Sequence, residues 1–329
     1  MIYKSYADLS EVIKNNLGSL TGKDYDLVVG IPRSGMIPAT MIAVNLEITL
    51  CSYNELIRNE PIDKRGKREI KRQVLFPQDA KKILIIEDSY ASGMRFKDLF
   101  EALPKSVQKK SDTMVIYSSV TTPWVDIYLE HVPIPRLFEW NIYHHEESLE
   151  NSCFDMDGIL CDDPTDEQND DDEKYLHFVL NARPKFIPVY KIKTIVTSRL
   201  EKYRKPTEEW LKKHNVKYGK LVMLSGYTAE ERARLGVHGG FKAREYAKDD
   251  YTHGYSVFFE SNYQQAIEIS RLTGKLVFCT DKNIMIYPEP PQPSRRSRAK
   301  DFVKQHAILK SGLTPAYKLY KVTRRYLKR

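Results

Sequence analysis

The chain has 329 residues, 41% hydrophobic and 29% charged, a length that suggests two domains and a composition that excludes a disordered or fibrous protein. Its formal charge of +8 belongs to the C-terminal end, where residues 291–329 carry twelve Lys and Arg against Asp301 alone and leave the rest slightly acidic. No apolar stretch reaches the roughly 18 residues that span a bilayer, and MIYKSYADLS at the N-terminus lacks the apolar core of a secretory signal.

From the N-terminus, Tyr6, Leu9, Val12, Ile13 and Leu17 recur at helical spacing and predict a helix over 5–20. Apolar runs at 27–31, 74–76, 82–88 and 113–120 read as strands, with helices at 37–46 and 95–103 among them. A second series follows, with strands at 153–157, 193–198, 220–224, 255–261 and 275–279 and helices at 207–214 and 263–272. Short apolar strands alternating with helices predict two α/β domains with largely parallel sheets, over 1–150 and 151–286. PEPPQPSRRSR then opens a third region, 287–329, read as a Pro-rich linker and a basic tail of two short helical pieces. Cys51, Cys153, Cys161 and Cys279 lack metal-finger spacing and are expected to be buried free thiols in a reducing cytoplasm.

The run ILIIEDSYASG (83–93) is an apolar strand ending in Glu87 and Asp88, followed by the small-residue loop Ser89, Tyr90, Ala91, Ser92 and Gly93. Backbone N–H groups of such a loop, with a helix N-terminus behind them, cradle phosphate. The two acids can accept hydrogen bonds from vicinal sugar hydroxyls and stabilise a cationic sugar. GIPRSG (30–35) also joins a strand to a helix, and Arg33, Ser34 and Gly35 suit a second phosphate group. Together the two segments resemble the PRPP and pyrophosphate loops of type I phosphoribosyltransferases, with Ser92 at the usual Thr position and Glu-Asp in place of Asp-Asp. The resemblance implies displacement of pyrophosphate from C1 of PRPP, with Glu87 and Asp88 as catalytic residues. The basic cluster at Lys64, Arg65, Lys67, Arg68, Lys71 and Arg72 is expected either to be a solvated hairpin or to close as a flap over the leaving group. Trp124, Trp140, His144 and His145 fall where an acceptor pocket or a domain junction is expected.

FDMDG (154–158) delivers Asp155 and Asp157 to the same side of a strand end, one to attack phosphorus and one to move protons. This looks like the first motif of the haloacid dehalogenase superfamily. The resemblance implies that Thr197 and Ser198 in IVTSR contact the phosphoryl group. It makes Lys242 the first choice, and Lys248 the second, for steadying the nucleophile. It also implies that Asp155, Asp157 and Glu260 hold Mg²⁺. Ser261 and Asn262 follow Glu260 where paired acids are commoner, which leaves the last metal ligand open. The acid run from Asp162 to Glu173 lacks EF-hand spacing and is expected to be a solvated loop beside a small cap.

The pairing resembles bacterial phosphoribosyltransferase–phosphatase proteins associated with ribofuranosylation of surface glycans. It implies transfer of ribose 5-phosphate to a sugar or glycan acceptor, then dephosphorylation to β-ribofuranose. Two other readings stay open: nucleobase salvage with a nucleotide 5′-phosphatase, and a PRPP-sensing binding protein. The protein is expected in the cytoplasm. Its basic tail suits the inner face of the membrane, a lipid-linked acceptor or a docking partner more than nucleic acid.

Overall fold

The computed structural model describes residues 1–62, 73–170, 172–228, 231 and 236–288. Buried apolar runs pair edge to edge there, because a ladder satisfies backbone groups that water cannot reach. The first half holds β1 (Ile2–Lys4), β2 (Leu27–Gly30), β3 (Thr49–Ser52), β4 (Ile83–Tyr90), β5 (Ser111–Ser118), β6 (Ile127–His131) and β7 (Arg136–Phe138). Strands β2 to β6 form a parallel sheet in the order β3-β2-β4-β5-β6, and β1 pairs with β7 in a separate parallel ribbon. Gly30 stands opposite Ile86, so Glu87 and Asp88 lie just past the end of β2.

The second half holds β8 (Cys153–Phe154), β9 (Ile192–Leu200), β10 (Tyr218–Leu224), β11 (Phe258–Glu260), β12 (Val277–Cys279) and β13 (Ile284–Ile286). Their order is β10-β9-β8-β11-β12-β13, parallel except for the last pair. In each sheet the chain runs outward on one side of its first strand and then crosses to the other. The crossings leave crevices at the carboxyl ends of β2/β4 and of β8/β11, the places where open α/β sheets bind ligands.

The sheets divide between β7 and β8, but the packing does not. Leu137, Ile142 and Leu149, all before β8, belong to the apolar cluster under the second sheet, and Met1 and Tyr3 pack against it. Tyr143 stacks on Phe186 with ring centres 4.2 Å apart, and Tyr3 meets Phe278 at 5.3 Å. Residues Met1–Ile286 accordingly make one compact unit.

Several local expectations change. Residues 74–76 form no strand: only Val74 is buried, Leu75 and Phe76 are exposed, and Pro77 starts a 3₁₀ turn. The acid run is not all loop, because Glu173 begins a helix to Asn181 that buries Tyr175, Phe178 and Val179. All four cysteines are free and buried. The basic cluster at Lys64, Arg65, Lys67, Arg68, Lys71 and Arg72, Asp171, and the tail from 289 lie outside the described residues. Among the described residues no helix is long and apolar enough to cross a membrane.

Candidate functional site

The first site opens at the β2/β4 crevice. Residues 91–93 turn the end of β4 into the helix Met94–Glu101. Gly93 makes that turn at φ 71°, and a Cβ there would lie 2.0 Å from the Tyr90 ring, so only glycine has both the freedom and the room. Opposite, residues 31–35 lead from β2 into the helix Met36–Leu46, and the Pro32–Arg33 peptide is cis. Ile31 N–H donates to Ile86 O at 3.0 Å and ties this loop to β4.

The two loops border a cleft of about 650 Å³ lined by Arg33, Ser34 and all of Glu87–Gly93. Gly35 sits behind the lining, against the Ile31 and Ile86 carbonyls, where a Cβ would come within 2.8 Å of either oxygen. Tyr6, Arg95, Trp140, Asn141 and His144 complete much of the wall. Arg95 could have been read from its place in the first turn after Gly93. Trp140 and His144 fall in the segment expected to build an acceptor pocket or a domain junction and do line the cleft, but the contact of Trp140 with Asp88 was hidden, because only tertiary packing returns Trp140 to β4.

Asp88 is buried and held at both oxygens: Ser34 Oγ donates to Oδ1 at 2.9 Å and Trp140 Nε1 to Oδ2 at 2.8 Å. Burial pushes the Glu87 carboxyl up to about 9, the neighbouring Asp88 adds to the shift, and Arg95 offsets only part of it. Glu87 therefore keeps a proton at neutral pH. The cleft offers guanidinium groups and a helix N-terminus to phosphates, and one buried carboxylate to a centre of developing positive charge.

A raised folded-state value means that the cost of ionising Glu87 is absent below its ordinary range and grows as pH climbs toward 9. Glu87→Gln is therefore expected to melt with the wild type at pH 4 and several degrees above it at pH 8 in the absence of ligands. Thermal scans at the two pH values check this. Equal melting at pH 8 would show that Glu87 ionises freely.

The second site lies at the β8/β11 crevice. Asp155 N–H donates to Phe259 O at 3.0 Å, which sets Asp155 beside the end of β11. Lys242, from the helix His238–Tyr246, places Nζ 2.6 Å from Asp155 Oδ2, 2.6 Å from Glu260 Oε2 and 2.8 Å from Gln265 Oε1. Asp155, Lys242 and Glu260 are all buried. Lys248 instead pairs with Glu245 through a half-exposed side chain.

Two carboxylates thus share one ammonium. Burial pushes the Asp155 carboxyl up, with Glu260 and Asp157 adding to the shift against the pull of Lys242. Lys242 is buried too, but its two carboxylate partners outweigh that cost and keep it protonated.

Asp157 turns elsewhere. Arg199, completely buried, donates from Nη2 to Asp157 Oδ1 at 2.6 Å and from Nε to both carboxylate oxygens at 3.1 and 3.2 Å. Arg199 follows Thr197 by two residues on β9, so the alternation of a strand was the signal for it. Thr197 is completely buried, and its hydroxyl oxygen accepts from Arg199 N–H at 3.2 Å, while Ser198 is 9% exposed. The Cys161 thiol, 3.3 Å from Asp157, is pushed up by burial and by that carboxylate and stays protonated.

The metal set expected at Asp155, Asp157 and Glu260 does not assemble. Their oxygens have the hard chemistry that Mg²⁺ prefers, yet Asp155 and Glu260 converge on Lys242 while Asp157 is held by Arg199. Among the described residues no three Asp, Glu, His or Cys groups are placed to hold a metal ion.

No family model matches the chain, and no curated protein matches it. Solved structures do. Purine phosphoribosyltransferase from Pyrococcus horikoshii is 19% identical, aligned over 42% of this chain and 93% of its own, with a TM-score of 0.32. Xanthine-guanine-hypoxanthine phosphoribosyltransferase from Helicobacter pylori is 13% identical over 43% and 91%, with a TM-score of 0.33. Hypoxanthine phosphoribosyltransferase from Staphylococcus aureus is 17% identical over 39% and 74%, with a TM-score of 0.27. Likeness at this level carries no argument about activity.

Proposed function

We propose that the chain transfers ribose 5-phosphate from PRPP to a saccharide hydroxyl, releases pyrophosphate, and then removes the 5-phosphate to leave a β-ribofuranosyl product. The observation that carries this reading is a pair of sites within one compact unit, each at the crossing point of its own sheet: a cleft lined by arginines, and a buried cluster of Asp155, Lys242 and Glu260. In the first, Arg33 and Arg95 face the phosphates, and Asp88 stabilises charge developing at the sugar. In the second, Asp155 attacks phosphorus, Lys242 neutralises the phosphoryl oxygens as it neutralises Asp155, and Asp157 handles the leaving-group proton from its seat on Arg199.

The order of the two steps follows from the chemistry. Transfer leaves a monoester on the new sugar, and the second site suits its hydrolysis. The basic C-terminal residues favour an anionic surface, which suits a lipid-linked acceptor.

Ribose 5-phosphate and p-nitrophenyl phosphate test the second half alone. With Mg²⁺ in the buffer, the full chain is expected to hydrolyse both, and Asp155→Asn to lose at least about 10³-fold in rate while still melting cooperatively above the assay temperature. Equal phosphate release by Asp155→Asn would remove the phosphatase reading.

A further inference from the structure

We infer that His144 is the base that takes the proton from the attacking hydroxyl, and that it forms the acceptor subsite with Tyr6, Trp140 and Asn141. This inference rests on the transfer reading above. The 3₁₀ turn Ile142–His144 splits its side chains between the two halves of the protein. Ile142 and Tyr143 pack into the core under the second sheet, and Tyr143 stacks on Phe186. Asn141 and His144 line the transferase cleft instead. The exposed His144 ring thus stands on a turn anchored from behind.

The cleft offers three candidate bases: Glu87, Asp88 and His144. Asp88 already accepts at both oxygens, from Ser34 and Trp140. Glu87, half-buried in the cleft wall beside it, carries a proton. The exposed imidazole of His144 remains, with a ring nitrogen able to accept a proton at the cleft wall.

The rest of the subsite fits a sugar ring better than a flat base. Trp140 is stacked on Phe138 at 4.8 Å and 6° between planes, so one of its faces is covered. Tyr6 stands 5.7 Å away at 47° and makes a corner rather than a slot. Sandwiching a planar base needs parallel faces about 7 Å apart, two carbon contact distances. A saccharide needs only one ring for its C–H face and polar groups for its hydroxyls. Asn141, in the cleft wall, has its buried Oδ1 without a hydrogen-bond partner among the described residues, an acceptor that a small turn of the amide would present to a hydroxyl. In the step itself the acceptor oxygen attacks C1 of PRPP as the C1–O bond to pyrophosphate breaks. The bond's electron pair leaves on pyrophosphate, and the hydroxyl proton passes to a ring nitrogen of His144 and on to water.

The test uses the full chain and its His144→Gln variant, with PRPP and Mg²⁺, and with water, methyl glucoside or hypoxanthine as acceptor. PRPP affinity, read by titration calorimetry, is expected to stay within about twofold. Pyrophosphate release to water and to methyl glucoside should fall about 10²–10³-fold, the acid limb of its pH profile should vanish, and added imidazole should restore part of the rate. A variant that binds PRPP and keeps the wild-type rate and pH profile would overturn the role of His144. A wild type that prefers hypoxanthine to methyl glucoside would overturn the saccharide subsite. A wild type that fails to bind PRPP would instead strike the transfer reading itself.

Discussion

Lys242→Met is expected to destabilise the protein by about 3–5 kcal/mol at pH 7.5, the cost of leaving buried carboxylates without their counter-ion. Asp155 and Glu260 both point at this one ammonium at 2.6 Å, and Glu260 is completely buried. Methionine fills the same volume without charge, so packing is preserved and the electrostatic loss is isolated. As pH falls the Asp155 carboxyl, pushed up by burial, takes up a proton and the penalty fades, so the gap from wild type should be narrower at pH 5 than at pH 7.5. Glu260→Gln added to the Lys242→Met variant should recover part of the loss, since one uncompensated charge is gone. Urea midpoints of the single and double variants at both pH values measure all three effects. A loss below about 1 kcal/mol at pH 7.5 would mean that the carboxylates are not confined as described.

Asp88→Asn is expected to lower the rate of pyrophosphate release from PRPP by about 10²–10³-fold, equivalent to about 2.7–4 kcal/mol of transition-state stabilisation. Asparagine retains the hydrogen-bond geometry: its oxygen accepts from Trp140 Nε1 while its amide donates to Ser34 Oγ, which reverses its role. The melting temperature should move little, and the change isolates the negative charge that the proposal assigns to stabilising the sugar. Phosphate release from p-nitrophenyl phosphate should be untouched, because the proposed monoester hydrolysis belongs to the β8/β11 crevice. A fall in both activities together would point to misfolding rather than to lost charge.

Strand ends were the legible part of this protein. Glu87 and Asp88 after ILII, and Asp155 and Asp157 around FDMD, announce themselves because acids seldom end buried apolar runs without a task. What the sequence hides is whatever depends on two distant segments meeting. Trp140 donates to Asp88 across 52 positions, and Arg199 reaches Asp157 across 42. The helix that carries Lys242 begins HGG, and its two glycines mask the helical signal. Composition also misled in the acid run, where Tyr175, Phe178 and Val179 form an apolar stripe beneath the carboxylates before them. The arrangement of the three acids of the second site was hidden for a related reason. The motif fixes which acids reach the crevice, but Arg199 and Lys242 decide where they point.

Mass spectrometry of the product made from PRPP and a saccharide acceptor tests the relay most directly. The wild type should add a bare ribosyl unit and release one pyrophosphate and one phosphate per transfer, while Asp155→Asn should stop at a phosphoribosyl adduct with pyrophosphate alone released. An unphosphorylated ribosyl product from Asp155→Asn, or no phosphoribosyl adduct under any acceptor, would contradict the coupling of the two crevices.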